Sequence, residues 1–347
     1  MVKILILLFL LPPLAGCYYV QAASGQWEVM RKKEPVDKII EDPGTAPELK
    51  TRLRLLDAAR DFSVAELGLP DNKSYRSYTQ LQRDYVVWNV FAAEEFSFDP
   101  KEWCFPVAGC VSYRGYFSKE DALRKSEQLA VDGYDVAVGG VAAYSTLGNF
   151  DDPILSTMMR WEDEQLVAVM FHELAHQVVY VKGDSAFNES FATAVEEFGM
   201  QRWLDSRGEG HKVDKYLARR QLQQNVSLLV ADAKKELQQV YDSDMDVARK
   251  REQKRVRLKE LSTRVALKIE EGGQEASGWL SGELNNARLI STTLYEGFLP
   301  AFRKLYADCE WDLPCFYAEA ERLAEMDDAE RVAALSAGQA LRTSFDR

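Results

Sequence analysis

The pattern of apolar and polar positions changes about halfway along the chain. Between residues 46 and 150, helical spacing predicts helices at Leu49–Glu66 and Lys119–Asp132. Aromatic and β-branched runs predict strands at Tyr85–Ala92, Val111–Phe117 and Tyr134–Tyr144. From about residue 153 onward nearly every segment has helical periodicity. The chain is therefore predicted to be an α+β protein with a small mixed sheet and a largely helical C-terminal half.

One long segment of the helical half is almost free of helix-breaking residues. It extends from Val213 to Gly272, and basic side chains alternate with acidic ones along it. This pattern predicts two long helices in a projecting hairpin that turns near Asp242-Ser243-Asp244. Two interpretations of residues 213–272 stay open, a pair of solvated packing helices and an arm that binds a protein partner.

The N-terminus has the organisation of a bacterial lipoprotein signal peptide over residues 1–16. A short positive start precedes an apolar run, Ile4 to Leu11, that is too short to span a bilayer. Leu14-Ala15-Gly16-Cys17 follows, which predicts cleavage before Cys17 and lipidation of that residue. The alternative is an ordinary secretory signal with an unmodified Cys17. The predicted location is the bacterial cell envelope, at the periplasmic face of the outer membrane in a diderm host.

The remaining chain divides into an N-terminal segment and one domain. Residues 17–45 are predicted to be a tether or a partial first helix that ends near Asp42-Pro43-Gly44. Residues 46–347 form the domain, with a mixed part at 46–150 and a helical part at 151–347. With 46% hydrophobic residues, this length can bury a sizeable core.

Charge and cysteine content restrict the partners and the compartment. A net charge of −12 argues against nucleic acid or an anionic membrane surface as a partner, so membrane contact would come through the lipid anchor. Besides Cys17 there are two close pairs, Cys104 with Cys110 and Cys309 with Cys315. In an oxidising compartment they suggest two local disulfides, although four cysteines allow three pairings.

The segment with the clearest chemistry is Phe171-His172-Glu173-Leu174-Ala175-His176 within a predicted helix. Its spacing places two of the chain's three histidines one turn apart on one helical face, with a carboxylate beside them. A catalytic zinc ion needs two such imidazoles, a third protein ligand and an open position for water. Glu173 would then accept a proton from the water that zinc activates. The helix is predicted to begin near Asp163 and to end near Val181-Lys182-Gly183-Asp184.

A second helix supplies the remaining candidate ligand. It is predicted to be capped by Asp184 or Ser185 and to extend to about Leu204. Glu189 lies in its first two turns and becomes the third zinc ligand if the two helices pack antiparallel. Glu196, seven residues further on the same face, either binds the free N–H of a ligand histidine or faces solvent.

These residues resemble the gluzincin metallopeptidases, in particular their aminopeptidase branch. The resemblance rests on His-Glu-Leu-Ala-His at 172–176 and on Asn-Glu-Ser-Phe-Ala-Thr-Ala-Val-Glu-Glu at 188–197. It implies a zincin-like fold with His172, His176 and Glu189 as zinc ligands and Glu173 as general base. Glu196 would not bind zinc itself but would contact one of the residues that do. The spacer between the motif halves is shorter than is usual there, and the Gly-x-Met-Glu-Asn exopeptidase motif is missing.

Over most of its length the chain resembles a family of predicted bacterial zinc aminopeptidases, often lipoproteins. The matching segments include Tyr75-Arg76-Ser77-Tyr78, Tyr144-Ser145-Thr146-Leu147-Gly148 and Leu284-Asn285-Asn286-Ala287. Tyr295 is the candidate donor to the oxyanion of the reaction intermediate, because it lies downstream of the site as that tyrosine does in related gluzincins. The other interpretation of Tyr295 is a packed aromatic residue.

Three weaker candidates complete the site predictions. Gly139–Ser145 could be an edge strand that pairs with substrate, or a simple turn. Asp151 and Asp152 could hold a free α-amino group, or serve a turn and a helix cap. His211 lies in a glycine-containing turn and is predicted to be exposed.

The sequence as a whole predicts a zinc peptidase that acts on peptides, and an aminopeptidase is the preferred interpretation. The alternatives are an envelope endopeptidase and a non-catalytic lipoprotein scaffold with a structural zinc site.

Overall fold

In the part of the chain that the structure describes, most residues are helical, and short strands form three small sheets. The computed structural model describes residues 13–105, 109–273, 283–292 and 297–340. The described helices are α1 (Pro13–Arg31), α2 (Val36–Glu41), α3 (Pro47–Ala65), α4 (Lys119–Val131), α5 (Asp163–Ala175), α6 (Ser185–Ser206), α7 (Val213–Tyr241), α8 (Val247–Glu271), α9 (Asn286–Ser291), α10 (Leu299–Asp308), α11 (Leu313–Ala324) and α12 (Asp328–Ala340). The described strands are β1 (Lys33–Pro35), β2 (Ser77–Thr79), β3 (Val87–Glu94), β4 (Trp103–Phe105), β5 (Gly109–Val111), β6 (Arg114–Tyr116), β7 (Tyr134–Val141) and β8 (Ile154–Leu155).

The described strands include a small mixed sheet, as the sequence predicts, together with two further sheets. Only the sheet β1-β2-β8 is mixed, with β1 antiparallel and β8 parallel to β2. The sheet β6-β3-β7 and the hairpin β4-β5 are antiparallel. The predicted strand Val111–Phe117 bends at residues 112–113 and divides into β5 and β6. The α+β class and a small mixed sheet are confirmed, but Val111–Phe117 is not one strand, since its two halves pair with different partners.

Several predicted elements have the expected bounds, because local signals mark their ends. α4 follows Ser118, whose hydroxyl accepts a hydrogen bond from the backbone N–H of Asp121 at 3.2 Å. α7 and α8 form the predicted hairpin and are joined by residues 242–246. The hairpin does not project freely, since the buried Lys254 ammonium donates to Asp135 Oδ2 at 2.6 Å and to the Glu95 carbonyl at 2.7 Å.

The N-terminal segment is folded onto the domain. Of the two alternatives for residues 17–45, the structure has the helical one, since this segment contains α1, β1 and α2. β1 pairs with β2, and Val29 and Val36 are buried in the main core. Residues 17–45 therefore pack against the part of the chain that follows residue 46.

The main core lies where α3, α5, α6, α10 and α11 meet, and it surrounds the helices that carry the candidate site. A second cluster lies between α7 and α8, and a third covers the sheet β6-β3-β7 under α4. Disulfides Cys104–Cys110 and Cys309–Cys315 connect β4 to β5 and the end of α10 to α11. Among the described helices, none has the length and apolar character needed to cross a bilayer.

Candidate metal centre

The first half of the site is carried by α5. The helix follows Glu162, whose backbone N–H donates to Gln165 Oε1 at 3.3 Å in a reciprocal capping box. One face of α5 is anchored in the core by Leu166, Met170, Phe171 and Leu174. This burial fixes the rotation of the helix about its axis. His172 and Glu173, which come between buried positions, are left partly exposed at the cleft.

The second histidine lies just beyond the end of this helix. The sequence predicts a helix to about residue 181, but α5 ends at Ala175 and His176 is its C-cap. Backbone hydrogen bonds from Gln177 to Leu174 and from Val178 to Ala175 tighten the chain into three-residue turns there. His176 keeps helical dihedral angles (φ −60°, ψ −17°) and donates to the His172 carbonyl at 3.3 Å. The two imidazoles are therefore still one helical turn apart, although the helix ends earlier than predicted.

The second half of the site is carried by the start of α6. Asp184 caps this helix by accepting from the backbone N–H of Phe187 at 2.9 Å, as the sequence predicts. Asn188, the residue before Glu189, exchanges two 2.8 Å hydrogen bonds with the backbone of Val181. These bonds attach the connection after α5 to the first turn of α6. They determine where Glu189 lies relative to the histidines.

Three potential ligand atoms converge between the two helices. The Nε2 atoms of His172 and His176 are 3.2 Å apart. Glu189 Oε2 is 3.2 Å from His172 Nε2, and Glu189 Oε1 is 3.7 Å from His176 Nε2. One ligand atom from each residue lies within 4.8 Å of the others. Two imidazole nitrogens and one carboxylate oxygen are the donor set that a first-row divalent metal such as zinc accepts.

The protonation states of the two histidines depend on each other. Burial lowers the pKa of both histidines, but hydrogen bonds to Glu189 and Glu196 outweigh it and raise the pKa of His172. Burial and the charge of His172 lower the pKa of His176. Two imidazoles that face each other at 3.2 Å cannot both be protonated, whereas one metal ion can accept both lone pairs.

A buried polar contact lies behind His172. Its Nδ1 is 3.1 Å from Glu196 Oε2, and Tyr216 from α7 donates to Glu196 Oε1 at 2.7 Å. Arg220, one turn further along α7, lies 3.9 Å from Glu196 and 3.8 Å from Glu197. Glu196 is buried, and of its two predicted environments it has the contact with histidine. If Nε2 of His172 is a ligand, its Nδ1–H donates to Glu196, which fixes the tautomer.

The cluster opens into a cleft of about 790 Å³. Its floor includes His172, Glu173 and Glu189, and one wall is formed by α7, with Gly272 and Gly273 after α8. Burial raises the pKa of Glu173 to about 7; the charge of His172 opposes this rise and that of Glu189 adds to it. A carboxylate with this pKa can accept and release a proton near neutral pH.

The other predicted residues have different outcomes. Tyr295 lies outside the described residues, so its role stays a prediction. Asp152 is buried, and its oxygens accept from the Thr146 backbone and hydroxyl at 2.8 Å and from the Ser145 hydroxyl at 3.3 Å. These hydrogen bonds satisfy the buried Asp152 carboxylate, so no bound amino group is needed to explain its position. His211 is exposed, as predicted.

In the segment Gly139–Ser145, which is predicted to pair with substrate, Gly140 is needed for packing. Its first part is in β7, which is an edge strand among the described residues of the sheet β6-β3-β7. A Cβ at Gly140 would lie 2.4 Å from the ring of Tyr85. Gly140 is therefore needed for this aromatic ring to cover the strand. Pairing of the edge with substrate stays a prediction.

Sequence patterns missed three residues that position the site. Tyr216 and Arg220 belong to α7 and reach Glu196 only in the folded chain. Gly199 lies in α6, where a Cβ would be 2.9 Å from the ring of Phe171, the residue before His172. A lone glycine inside a predicted helix was the one signal available, since it often marks a close approach. Nothing local marks Tyr216 or Arg220 as neighbours of Glu196.

Fold and site together define an α+β protein with a His-His-Glu cluster at the floor of a cleft. The sequence model of a family described as "Putative aminopeptidase" matches residues 17–335, and the chain belongs to this family. The family description suggests peptidase activity. No curated protein and no solved structure matches the chain.

Proposed function

We propose that this protein is a zinc-dependent aminopeptidase of the gluzincin type, acting on short peptides in the bacterial cell envelope. The observation that carries the proposal is the convergence of His172, His176 and Glu189 in a cleft that Glu173 also lines. A structural zinc site has no need for a carboxylate base beside its ligands, nor for a cleft above them. Family membership supports the choice of peptide as the substrate class.

The residues of the cluster would divide the work between binding and proton transfer. His172, His176 and Glu189 would hold zinc, which supplies Lewis-acid activation of water and of the scissile carbonyl. Glu173 would accept the proton of the attacking water and return it to the departing amine. Glu196 would keep the Nε2 lone pair of His172 directed at the cluster by accepting a hydrogen bond from Nδ1.

The shape of the cleft supports a short peptide rather than a folded protein as substrate. A volume of about 790 Å³ is within the range of pockets that enclose small ligands. Tyr216 and Arg220 of α7 limit the cleft on one side, and Gly272 and Gly273 limit it where α8 ends. A folded protein would have to insert an extended loop between these walls, whereas the end of a peptide can enter directly.

The proposed location follows from the N-terminal residues. Leu14-Ala15-Gly16-Cys17 would direct cleavage before Cys17 and acylation of the new N-terminus. Two or more acyl chains anchor a protein stably, whereas one chain binds a membrane only marginally. Cys17→Ser should release the protein from the membrane fraction or block processing of the signal. Unchanged membrane association in this variant would refute lipidation at Cys17.

Activity is tested with the purified, zinc-loaded protein and a mixed peptide library, with cleavage positions determined by mass spectrometry. We expect stepwise removal of N-terminal residues. Glu173→Gln should reduce the rate by roughly 10²–10⁴-fold, because it keeps the shape of the side chain and removes the base. Glu164→Gln is the matched control, since Glu164 lies on the same helix and lines the same cleft but pairs with Lys212 at 3.0 Å.

Each result of this experiment separates two functions. Internal cleavage would replace the aminopeptidase with an endopeptidase. A parent protein that cuts no peptide in the library would support a scaffold with a structural zinc site. If Glu173→Gln is as active as the parent, the assignment of Glu173 as general base is wrong. If Glu164→Gln loses as much activity as Glu173→Gln, the loss comes from the changed charge of the cleft and not from removal of a general base.

A further inference from the structure

An uncharged face of α1 begins at the predicted lipidation site. No residue from Cys17 to Trp27 is charged, although 28% of all residues in the chain are. Among residues 18–27, the exposed side chains are Tyr19, Val20, Ala23, Ser24 and Trp27. Their spacing of three or four residues places them on one face of the helix. Val20 and Trp27 are each 67% exposed, which is unusual for residues of this size.

This face is not a defect in the packing of α1, because the opposite face is firmly attached. Gln21 Oε1 accepts from the backbone N–H of Phe117 at 3.0 Å, and Gly25 lies so close to the Phe117 ring that a Cβ would be 2.1 Å from it. Tyr18 stacks on Phe105 with ring centroids 5.3 Å apart. The rotation of α1 is therefore fixed, and the uncharged face is the one presented outward.

The helical repeat connects this face to Cys17. Positions 17, 20, 24 and 27 are separated by three or four residues, so they lie in one row along α1. Acyl chains attached at position 17 would enter a bilayer from the same row that carries Val20 and Trp27. Position 17 and the exposed apolar side chains therefore lie on the same face of α1.

The composition of the face fits the membrane–water interface. Tyrosine and tryptophan concentrate there because each has an apolar ring and a polar group. The net charge of −12 would be repelled by an anionic membrane, but this face has no carboxylate. The first charged residue beyond it is Glu28, whose carboxylate pairs with Lys32 and with Arg83 at 2.7 Å each. Arg31 follows and can remain among the headgroups.

We propose that the Tyr19–Trp27 face of α1 lies in the headgroup region of the bilayer to which Cys17 is anchored. The occupant of this surface is phospholipid, and the inference rests on the proposed lipid anchor. The contact would hold the protein in one orientation on the membrane, because a flexible anchor at residue 17 alone leaves it free to rotate. The peptide cleft would then have a constant position relative to the bilayer.

The test uses the mature, full-length protein in vesicles of phosphatidylethanolamine and phosphatidylglycerol that contain a lipid with brominated chains. Bromine quenches tryptophan emission at short range. We expect Trp27→Phe to remove a quenched component that the emission of the parent shows, since Trp27 is one of seven tryptophans and is 67% exposed. Trp311→Phe is the matched control, because Trp311 is 61% exposed and lies far from α1 in sequence. This control variant should keep the quenching of the parent.

A second pair of variants tests the apolar contact. Val20→Glu places a charge on the face and should weaken quenching of Trp27, whereas Val332→Glu on α12 should not, although Val332 is also exposed (44%). Both substitutions are at exposed positions, so both proteins should melt at the parent temperature. Equal quenching in Val20→Glu, Val332→Glu and the parent would overturn the proposal.

The experiment separates this inference from the anchor on which it rests. The mass of the mature protein shows whether Cys17 is acylated. If it is not, the same vesicles are added to the unacylated protein, and quenching of Trp27 at saturating lipid still supports the membrane face. No quenching of Trp27 in either form would overturn it. A dimer that shields Trp27 from the lipid would also overturn it and would show that a second copy covers this face.

Discussion

Replacing Tyr216 by phenylalanine removes one oxygen atom that lies two hydrogen bonds away from the proposed metal ligand His172. The Tyr216 hydroxyl donates to Glu196 Oε1 at 2.7 Å, and Glu196 Oε2 is 3.1 Å from His172 Nδ1. Tyr216 and Glu196 are both buried, so water does not readily replace the lost donor. The substitution should loosen Glu196 and, through it, the orientation of the His172 ring. We therefore expect weaker zinc binding from a change that leaves every ligand in place.

The size of the effect can be estimated from the contacts. A hydrogen bond to a charged acceptor contributes about 1.5–3 kcal/mol, which corresponds to about 10–150-fold in a binding constant. Substitutions behind metal ligands typically cost 10–100-fold in metal affinity. Arg220 stays 3.9 Å from Glu196 and limits the movement of its carboxylate. Zinc affinity of Tyr216→Phe should therefore fall by roughly 10-fold to 100-fold.

The assay is a competition titration of zinc against a chelator of known affinity. Replacement of zinc by cobalt(II) gives a second readout, because its visible absorption bands change with the arrangement of the ligands. Tyr317→Phe is the matched control: the Tyr317 hydroxyl is also buried and donates to the Leu67 carbonyl at 2.8 Å, away from the cluster. Tyr317→Phe should lose about 1 kcal/mol of folding stability and Tyr216→Phe about 1.5–3 kcal/mol, but zinc affinity should fall only in Tyr216→Phe.

Two results would refute this reasoning. If Tyr216→Phe and Tyr317→Phe bind zinc as tightly as the parent, Glu196 does not depend on Tyr216 for its position. If Tyr216→Phe binds zinc more tightly, the hydroxyl acts mainly by lowering the pKa of Glu196, and its loss makes Glu196 a stronger acceptor for His172.

Three further changes test other parts of the structure. Glu189→Ala should lower zinc affinity at least 100-fold in the same titration, since it removes one of three protein ligands; full zinc content would exclude Glu189 as a ligand. Gly199→Ala should lower the melting temperature, because a Cβ 2.9 Å from Phe171 costs about 1–3 kcal/mol against about 1 kcal/mol of helix propensity. Replacing Cys309 and Cys315 by serine should cost about 2 kcal/mol in thermal unfolding, and an unchanged melting temperature would refute this.

The elements that the sequence predicts well are those whose ends are marked locally. Lys119–Asp132 was predicted as a helix and α4 occupies Lys119–Val131, because Ser118 caps its start and Gly133 follows its end. The turn of the long hairpin was predicted for the same reason, since residues 242–246 interrupt sixty residues of helical pattern. In such cases the hydrogen bonds that define the element join residues four apart, so the neighbouring sequence is sufficient.

The predictions that failed depended on distant partners. The partition of strands into three sheets required knowledge that β5 pairs with β4 while β6 pairs with β3. The early end of α5 at Ala175 came from turns that form as the chain approaches α6, although the apolar pattern continues to Val179. Periodicity describes which face of a segment is apolar, but it does not identify the segment that will cover that face.

The candidate site shows the same division between local and distant information. The four-residue spacing of His172 and His176 places both imidazoles on one side of a helical turn in any fold, so the motif alone predicts this pair. Glu189 was predicted from its position in the next helix, but its distance from the histidines depends on Asn188 and Val181, which join the two helices. The contact of Tyr216 with Glu196 exists only because α7 returns across α6. Local spacing determines which side chains can lie side by side. Contacts between residues far apart in the sequence determine which neighbours fix their positions, because those neighbours meet only when the whole chain folds.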